Sequence, residues 1–164
     1  MGYVPEVPEI YELLTVWEHL TFVAKLYRLN QWESRAKAYV ERFELTDKLN
    51  ELGQELSKGM KQKLSIIMAL LIEPKVLLFD EPMIGLDPMA IRETKRIMRE
   101  MADEGCAVLV STHLLDTIEA LCDDVLVLKN GKIIAQGSPT ELKIQMGTED
   151  ATLEEVFLQV TKDA

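Results

Sequence analysis

Apolar residues recur along this chain with two different periods, and the period changes near Leu56. Trp17, Leu20, Ala24 and Tyr27 fall at helical spacing. Thr15 and Glu18 just ahead of that stripe have the spacing of a capping box, which predicts a helix opening at Thr15. A second helix is predicted from Ser34 to Phe43, with Ala36, Tyr39, Val40 and Phe43 turned inward. Ahead of both, Pro5 and Pro8 block a helix and leave a short strand fragment followed by a loop. After Leu56, "LSKGMKQKLSIIMALLIEP" reads as a polar turn leading into a helix that is apolar nearly all round. Such a helix is buried on most sides.

The second period belongs to strands. Val76 to Phe79 is an apolar run bounded by prolines, and "CAVLVST" is another. Between them a helix starts at Pro88, turns Ile91, Ile97, Met98 and Met101 inward, and stops at Gly105. "LLDTIEALC" reads as a further helix. "DVLVLKNGKIIAQG" reads as a hairpin, because Asn130-Gly131 suits a type I′ turn. "SPTE" and "TLEE" each predict a capping box that opens a terminal helix. Apolar strands alternating with helices predict an α/β chain whose parallel sheet is covered on both faces. Positions 12–56 form a small, mostly helical unit ahead of half of an α/β nucleotide-binding core. There is no internal repeat and no low-complexity segment.

Composition narrows the function classes. The chain has 164 residues, enough for one domain with a sizeable core. Its net charge is −10 with no run of Lys or Arg, which counts against a nucleic-acid groove. The longest apolar stretch, Leu64 to Ile72, is broken by Ser65 and is far shorter than the roughly 20 residues of a membrane span. The first residues lack the basic region of a signal peptide. Cys106 and Cys122 have no paired spacing and read as buried thiols in a reducing cytoplasm.

The candidate chemistry sits at strand ends, where open parallel sheets bind ligands. One strand ends in Asp80-Glu81 and the other in Ser111-Thr112-His113. An aspartate at such a place suits Mg²⁺. Glu81 would polarise an attacking water, and His113 would bond a terminal phosphate. Ser57 and Gly59 open the buried helix, whose N-terminus is either an anion site or simply capped. Asp87, in "IGLDP", stands at the cap of the following helix. Taken singly, each of these residues is better explained as a turn, a loop residue or a cap.

Taken together and in order, they resemble the ATP-binding cassette family. "LSKGMKQ" resembles its signature, "VLLFDEP" its magnesium and catalytic-carboxylate strand, "GLDP" its dimer-contact loop and "STH" its switch histidine. "GYVPE" followed by "YELLTVWEHL" resembles its glutamine switch and helical subdomain, and "LVLKNGKIIAQGSPTEL" its closing hairpin. The resemblance covers nearly the whole chain. It implies the C-terminal part of a P-loop NTPase core: a switch-loop remnant (1–11), a helical subdomain (12–56), the core portion (57–137) and C-terminal helices (138–164). It further implies that Asp80 coordinates Mg²⁺, that Glu81 is the general base and that His113 contacts the γ-phosphate. Ser57, Lys58, Gly59 and Met60 would bind the γ-phosphate of an ATP held mainly by a second ATP-binding subunit. Asp87 would reach across that dimer interface. Tyr11 to Tyr27 would face a transmembrane permease subunit, placing the protein peripherally on the cytoplasmic face of the membrane, with no nucleic-acid partner.

Three positions depart from the commonest pattern. Lys58 stands for a glycine, Met60 for a glutamine, and Glu6 for the switch-loop glutamine, where its carboxylate would sit near Mg²⁺. With "TLEEVFLQVT", these variants resemble the branch serving exporters of the ABC-2 type. The alternatives are a non-catalytic or split partner module and a soluble cassette ATPase of translation or repair. The phosphate loop, G-x-x-x-x-G-K-[ST], is not in the 164 residues: the only Gly-Lys pair, Gly131-Lys132, precedes Ile133. The expectation is therefore a fragment of an ATPase, inactive alone, with an exposed apolar edge and a bare face on its sheet.

Overall fold

Gly2–Val4 (β1), Val76–Asp80 (β2) and Ala107–Ser111 (β3) form a parallel sheet in the order β1-β2-β3. The structure, a computed structural model, describes residues 1–115, 119, 121–145 and 152–163. They fall into two units, Met1–Thr112 and His113–Ala164. The β1-β2-β3 register aligns Val4 with Phe79 and Val110, and Tyr3 with Leu78 and Leu109.

The two faces of this sheet have different fates. Val4, Leu77 and Phe79 are buried, with α3 (Lys58–Leu71) against β1 and α4 (Pro88–Asp103) against β3. The opposite face is open: Tyr3 is 54% exposed, Leu109 59% and Val76 38%. Cover on both faces, expected from the apolar runs, is thus corrected. An apolar run records the neighbours a strand is built for, and within this unit nothing lies over that side. The bare apolar face expected for a fragment is the arrangement seen.

Helix α3 is buried almost throughout, from Gln62 to Leu71 except Met68. Helices α1 (Val16–Leu26) and α2 (Glu33–Arg42) both pack on it. The Thr15–Glu18 capping box opens α1 as predicted. Its inward stripe, however, is Val16, His19, Leu20 and Ala24, while Tyr27 is exposed and Trp17 only half-buried. The face is rotated from the predicted one because buried His19 stands where pattern reading counts a polar residue. On α4, Ile97, Met98 and Met101 are buried as expected, Ile91 is half-buried, and Ala90 and Thr94 complete the face. Arg42 joins α2 to α4 by pairing with Glu93 and Glu100.

His19 is 1% exposed and fully bonded. Its Nδ1 donates to the Thr15 carbonyl at 2.7 Å, so Nε2 is left to accept from the Tyr11 N–H at 3.0 Å. Burial pushes the imidazole below its ordinary value of 6.5. The unfolded chain therefore takes up the proton first as pH falls. This contribution to stability is complete above the ordinary value and is lost as pH drops through the folded one. Thermal melting followed from about pH 7.5 to about pH 5 should fall more steeply for the wild type than for His19→Gln. Equal slopes would contradict this account.

In the second unit, Val125–Lys129 (β4) and Lys132–Gly137 (β5) form the predicted hairpin. Asn130 (φ 52°) and Gly131 (φ 74°) both take the positive φ of a type I′ turn. Helices α5 (Pro139–Gln145) and α6 (Leu153–Asp163) open with the Ser138–Glu141 and Thr152–Glu155 boxes, and Val127, Leu142, Leu153 and Val156 form the core. The helix predicted for "LLDTIEALC" lies partly outside the described residues, which leave out 116–118 and 120. Cys106 is buried and Cys122 half-buried.

Candidate functional site

The carboxylates stand where β2 leaves the sheet. Asp80 pairs with Ser111 in the β2–β3 register, and the ladder runs one residue further through the Glu81 N–H, which donates to the Ser111 carbonyl at 3.0 Å. Glu81 itself has φ 44°, the left-handed conformation that an L-residue with a long side chain rarely adopts. The Ile84 N–H closes the turn by donating to the Glu81 carbonyl at 3.2 Å. Backbone strain of this kind costs on the order of 1–3 kcal/mol and persists only where the surroundings over-determine it.

Each carboxylate meets a hydroxyl from the neighbouring strand. The Ser111 hydroxyl donates to Asp80 Oδ1 at 2.5 Å, and the Thr112 hydroxyl donates to Glu81 Oε2 at 3.0 Å. Both carboxylates are half-buried, so they are held yet reachable. Hard oxygen donors of this kind fit Mg²⁺, which is commonly held by one or two carboxylates while phosphate oxygens and water complete its shell. Among the described residues no group of three or more His, Cys, Asp or Glu side chains could hold a metal. Of the two carboxylates, Asp80, held by the Ser111 hydroxyl, is the one that could hold such an ion. Glu6 is exposed on the loop after β1 and does not complete such a group.

The buried helix is tied to the same loop. Ser57 caps α3 by accepting from the Met60 N–H at 3.2 Å. Lys58 lies along Gly85. Gly59 is required by contact: a Cβ there would stand 2.6 Å from the Gly85 carbonyl oxygen. One turn on, Gln62 is fully buried and donates from Nε2 to the Pro5 carbonyl (3.3 Å) and the Pro82 carbonyl (3.4 Å), while its Oε1 has no hydrogen-bond partner among the described residues. Gln62 thereby joins the loop carrying Glu6 to the loop carrying Glu81. Lys63 pairs with Asp87 Oδ2 at 2.8 Å, and Asp87 Oδ1 accepts from the Ala90 N–H at 2.9 Å. The Lys63 ammonium, with the cap bond second, holds the Asp87 carboxyl below its usual range. Both oxygens of Asp87 are therefore engaged within its own chain.

The first unit brings Asp80, Glu81, Ser57, Lys58, Gly59, Met60 and Asp87 onto two connected elements, the start of α3 and the loop from β2 to α4. His113 belongs to the second unit. Sequence reading named the segments that contain Gln62, Lys63, Ser111 and Thr112 but gave these four side chains no role. The signal was available for the hydroxyls, since two adjacent carboxylates and two adjacent hydroxyls end neighbouring parallel strands. For Gln62 and Lys63 the only signal was a polar residue in an otherwise buried helix.

Comparison with known proteins agrees with this geometry. The family model described as ABC transporter matches residues 1–84. The ABC-type transporter ATP-binding protein EcsA of Bacillus subtilis (strain 168) is 41% identical over 163 residues, covering 98% of this chain and 66% of EcsA. The lipopolysaccharide export system ATP-binding protein LptB of Escherichia coli (strain K12) is 33% identical, covering 87% of this chain and 60% of LptB. A solved structure titled "Structure of ATP binding subunit of ABC transporter" superposes with a TM-score of 0.92 at 39% identity, covering 98% of this chain and 68% of that one. The chain thus spans about two thirds of the length of these relatives. With the parallel sheet, the paired carboxylates at its edge and the capped helix in contact with Gly85 of the loop that follows them, these likenesses lead to one conclusion: the chain belongs to the ABC transporter family and matches its ATP-binding proteins.

Proposed function

We propose that this chain carries the carboxylate and signature portion of an ATPase that drives a membrane exporter. The observation that supports it most is the pair Asp80 and Glu81, met by the Ser111 hydroxyl of β3 and the Thr112 hydroxyl just after it, and held at the carboxyl edge of the sheet. In this reading Glu81 accepts the proton of the attacking water, and His113 donates to the γ-phosphate. Asp80 would hold Mg²⁺, which when bound neutralises charge on the phosphates. Ser57, Lys58, Gly59 and Met60 present the start of α3 to the ATP of a second ATP-binding subunit, and Asp87 stands at that subunit boundary.

The exposed side chains of Tyr11, Leu13, Phe22, Leu26 and Tyr27 support a permease partner on the helical unit. No helix among the described residues is long and apolar enough to cross a membrane, which agrees with a peripheral subunit on the cytoplasmic face. Export is supported by the name of LptB. The organised Glu81 disfavours a non-catalytic module, which has no use for a strained, hydroxyl-held carboxylate.

The 164 residues contain no phosphate-loop pattern. Two copies would therefore contribute two signatures and nothing to cradle the triphosphate. Titration of the chain alone with MgATP should show no micromolar binding, and joining it to a G-x-x-x-x-G-K-[ST] segment should restore binding and turnover. Micromolar affinity of the chain alone would contradict this part of the proposal. Absence of turnover in the joined protein would contradict the ATPase reading itself.

A further inference from the structure

The backbone bonds at Glu81 fix where its Cα lies but not where its carboxylate points, because three side-chain torsions intervene. One contact that restricts them is the Thr112 hydroxyl, 3.0 Å from Oε2. Its origin lies in the sheet. Asp80 and Ser111 are register partners, so the next residue of each strand, Glu81 and Thr112, emerges at the same edge. Ser111 meets Asp80 in the same way. Thr112 is half-buried, and its β-branched side chain has few rotamers available, so its hydroxyl is itself held.

We propose that Thr112 is a positioning residue for Glu81: its hydroxyl orients the carboxylate that accepts the proton of the attacking water. This rests on the reading of Glu81 as the general base. The hydroxyl donates its hydrogen to one carboxylate oxygen and is not consumed. What it contributes is direction, since proton acceptance requires the lone pair to face the water.

Thr112→Val keeps the shape and removes the donor, whereas Thr112→Ser keeps the donor. In the ATPase that joins this chain to a phosphate loop, Thr112→Val should lower kcat about tenfold to a hundredfold with KM for ATP unchanged, and Thr112→Ser should restore it. In a Glu81→Gln background, Thr112→Val should cause no further loss. A second readout needs no turnover: in the 164-residue chain, the side-chain carboxyl ¹³C resonance of Glu81 should move in Thr112→Val and return in Thr112→Ser. Full turnover in Thr112→Val beside an inactive Glu81→Gln overturns this inference alone. Full turnover in Glu81→Gln overturns the general-base reading and this inference with it. An unmoved Glu81 resonance in Thr112→Val overturns the contact itself.

Discussion

In the protein that joins this chain to a phosphate loop, replacing Glu81 with glutamine is expected to lower ATP turnover by about 10²–10⁴-fold while leaving ATP binding and dimerisation in place. The substitution changes very little except the chemistry. The amide has the same length, its oxygen can still accept from the Thr112 hydroxyl, and the backbone at φ 44° is asked of glutamine as it was of glutamate. What disappears is the negative charge and the ability to take a proton. The loss should appear in kcat rather than KM, because the water attacks only after ATP is bound. Steady-state hydrolysis and an equilibrium ATP titration of the same variant separate the two. A variant that turns over at the wild-type rate would take Glu81 out of the mechanism.

The second large effect is structural and falls at the start of α3. Gly59→Ala is expected to destabilise the protein by about 1–3 kcal/mol through overpacking. Two terms oppose each other here. Alanine is the better helix former, by up to about 1 kcal/mol. Against that, its methyl would have to occupy a place 2.6 Å from the Gly85 carbonyl oxygen. That oxygen is backbone, so no side chain can swing aside to admit it. The loop cannot yield cheaply either, since Gly85 takes φ 80° and Asp87 two residues on is held by both Lys63 and the Ala90 N–H. The steric term should therefore win, and the displaced loop is the one that leads back to Glu81. Chemical denaturation of Gly59→Ala measures the sign. A stabilised variant would show that helix propensity outweighs the contact and that the two elements are less closely joined than described.

Much of this arrangement was legible in the residues because local signals agreed with one another. Capping pairs at Thr15, Ser138 and Thr152, Asn130-Gly131 in the hairpin and Pro88 opening α4 all act within a few residues, and each forms as its chemistry dictates. The failures came where the decisive partner lies outside the pattern of apolar and polar positions. His19 counts as polar in any periodicity, yet it is buried because the Thr15 carbonyl and Tyr11 N–H satisfy both ring nitrogens. The strands read as covered on both sides because their apolar character is suited to neighbours that this unit does not itself supply. Gln62 and Lys63 were invisible as linkers for the same reason, since Pro5, Pro82 and Asp87 are brought to them only by the fold. The candidate carboxylates were found from sequence, but the hydroxyls that hold them required the β2–β3 register.

The central claim is that Asp80 and Glu81 form the hydrolytic pair of this chain. The measurement that tests it most directly is a structure of the dimer, with a phosphate loop supplied, holding MgATP and the Glu81→Gln substitution. The account predicts Mg²⁺ bound to Asp80 directly or through one water, with residue 81 facing a water in line with the terminal phosphate and Thr112 still bonded to it. A metal held elsewhere, or residue 81 turned away from the phosphate, would contradict it.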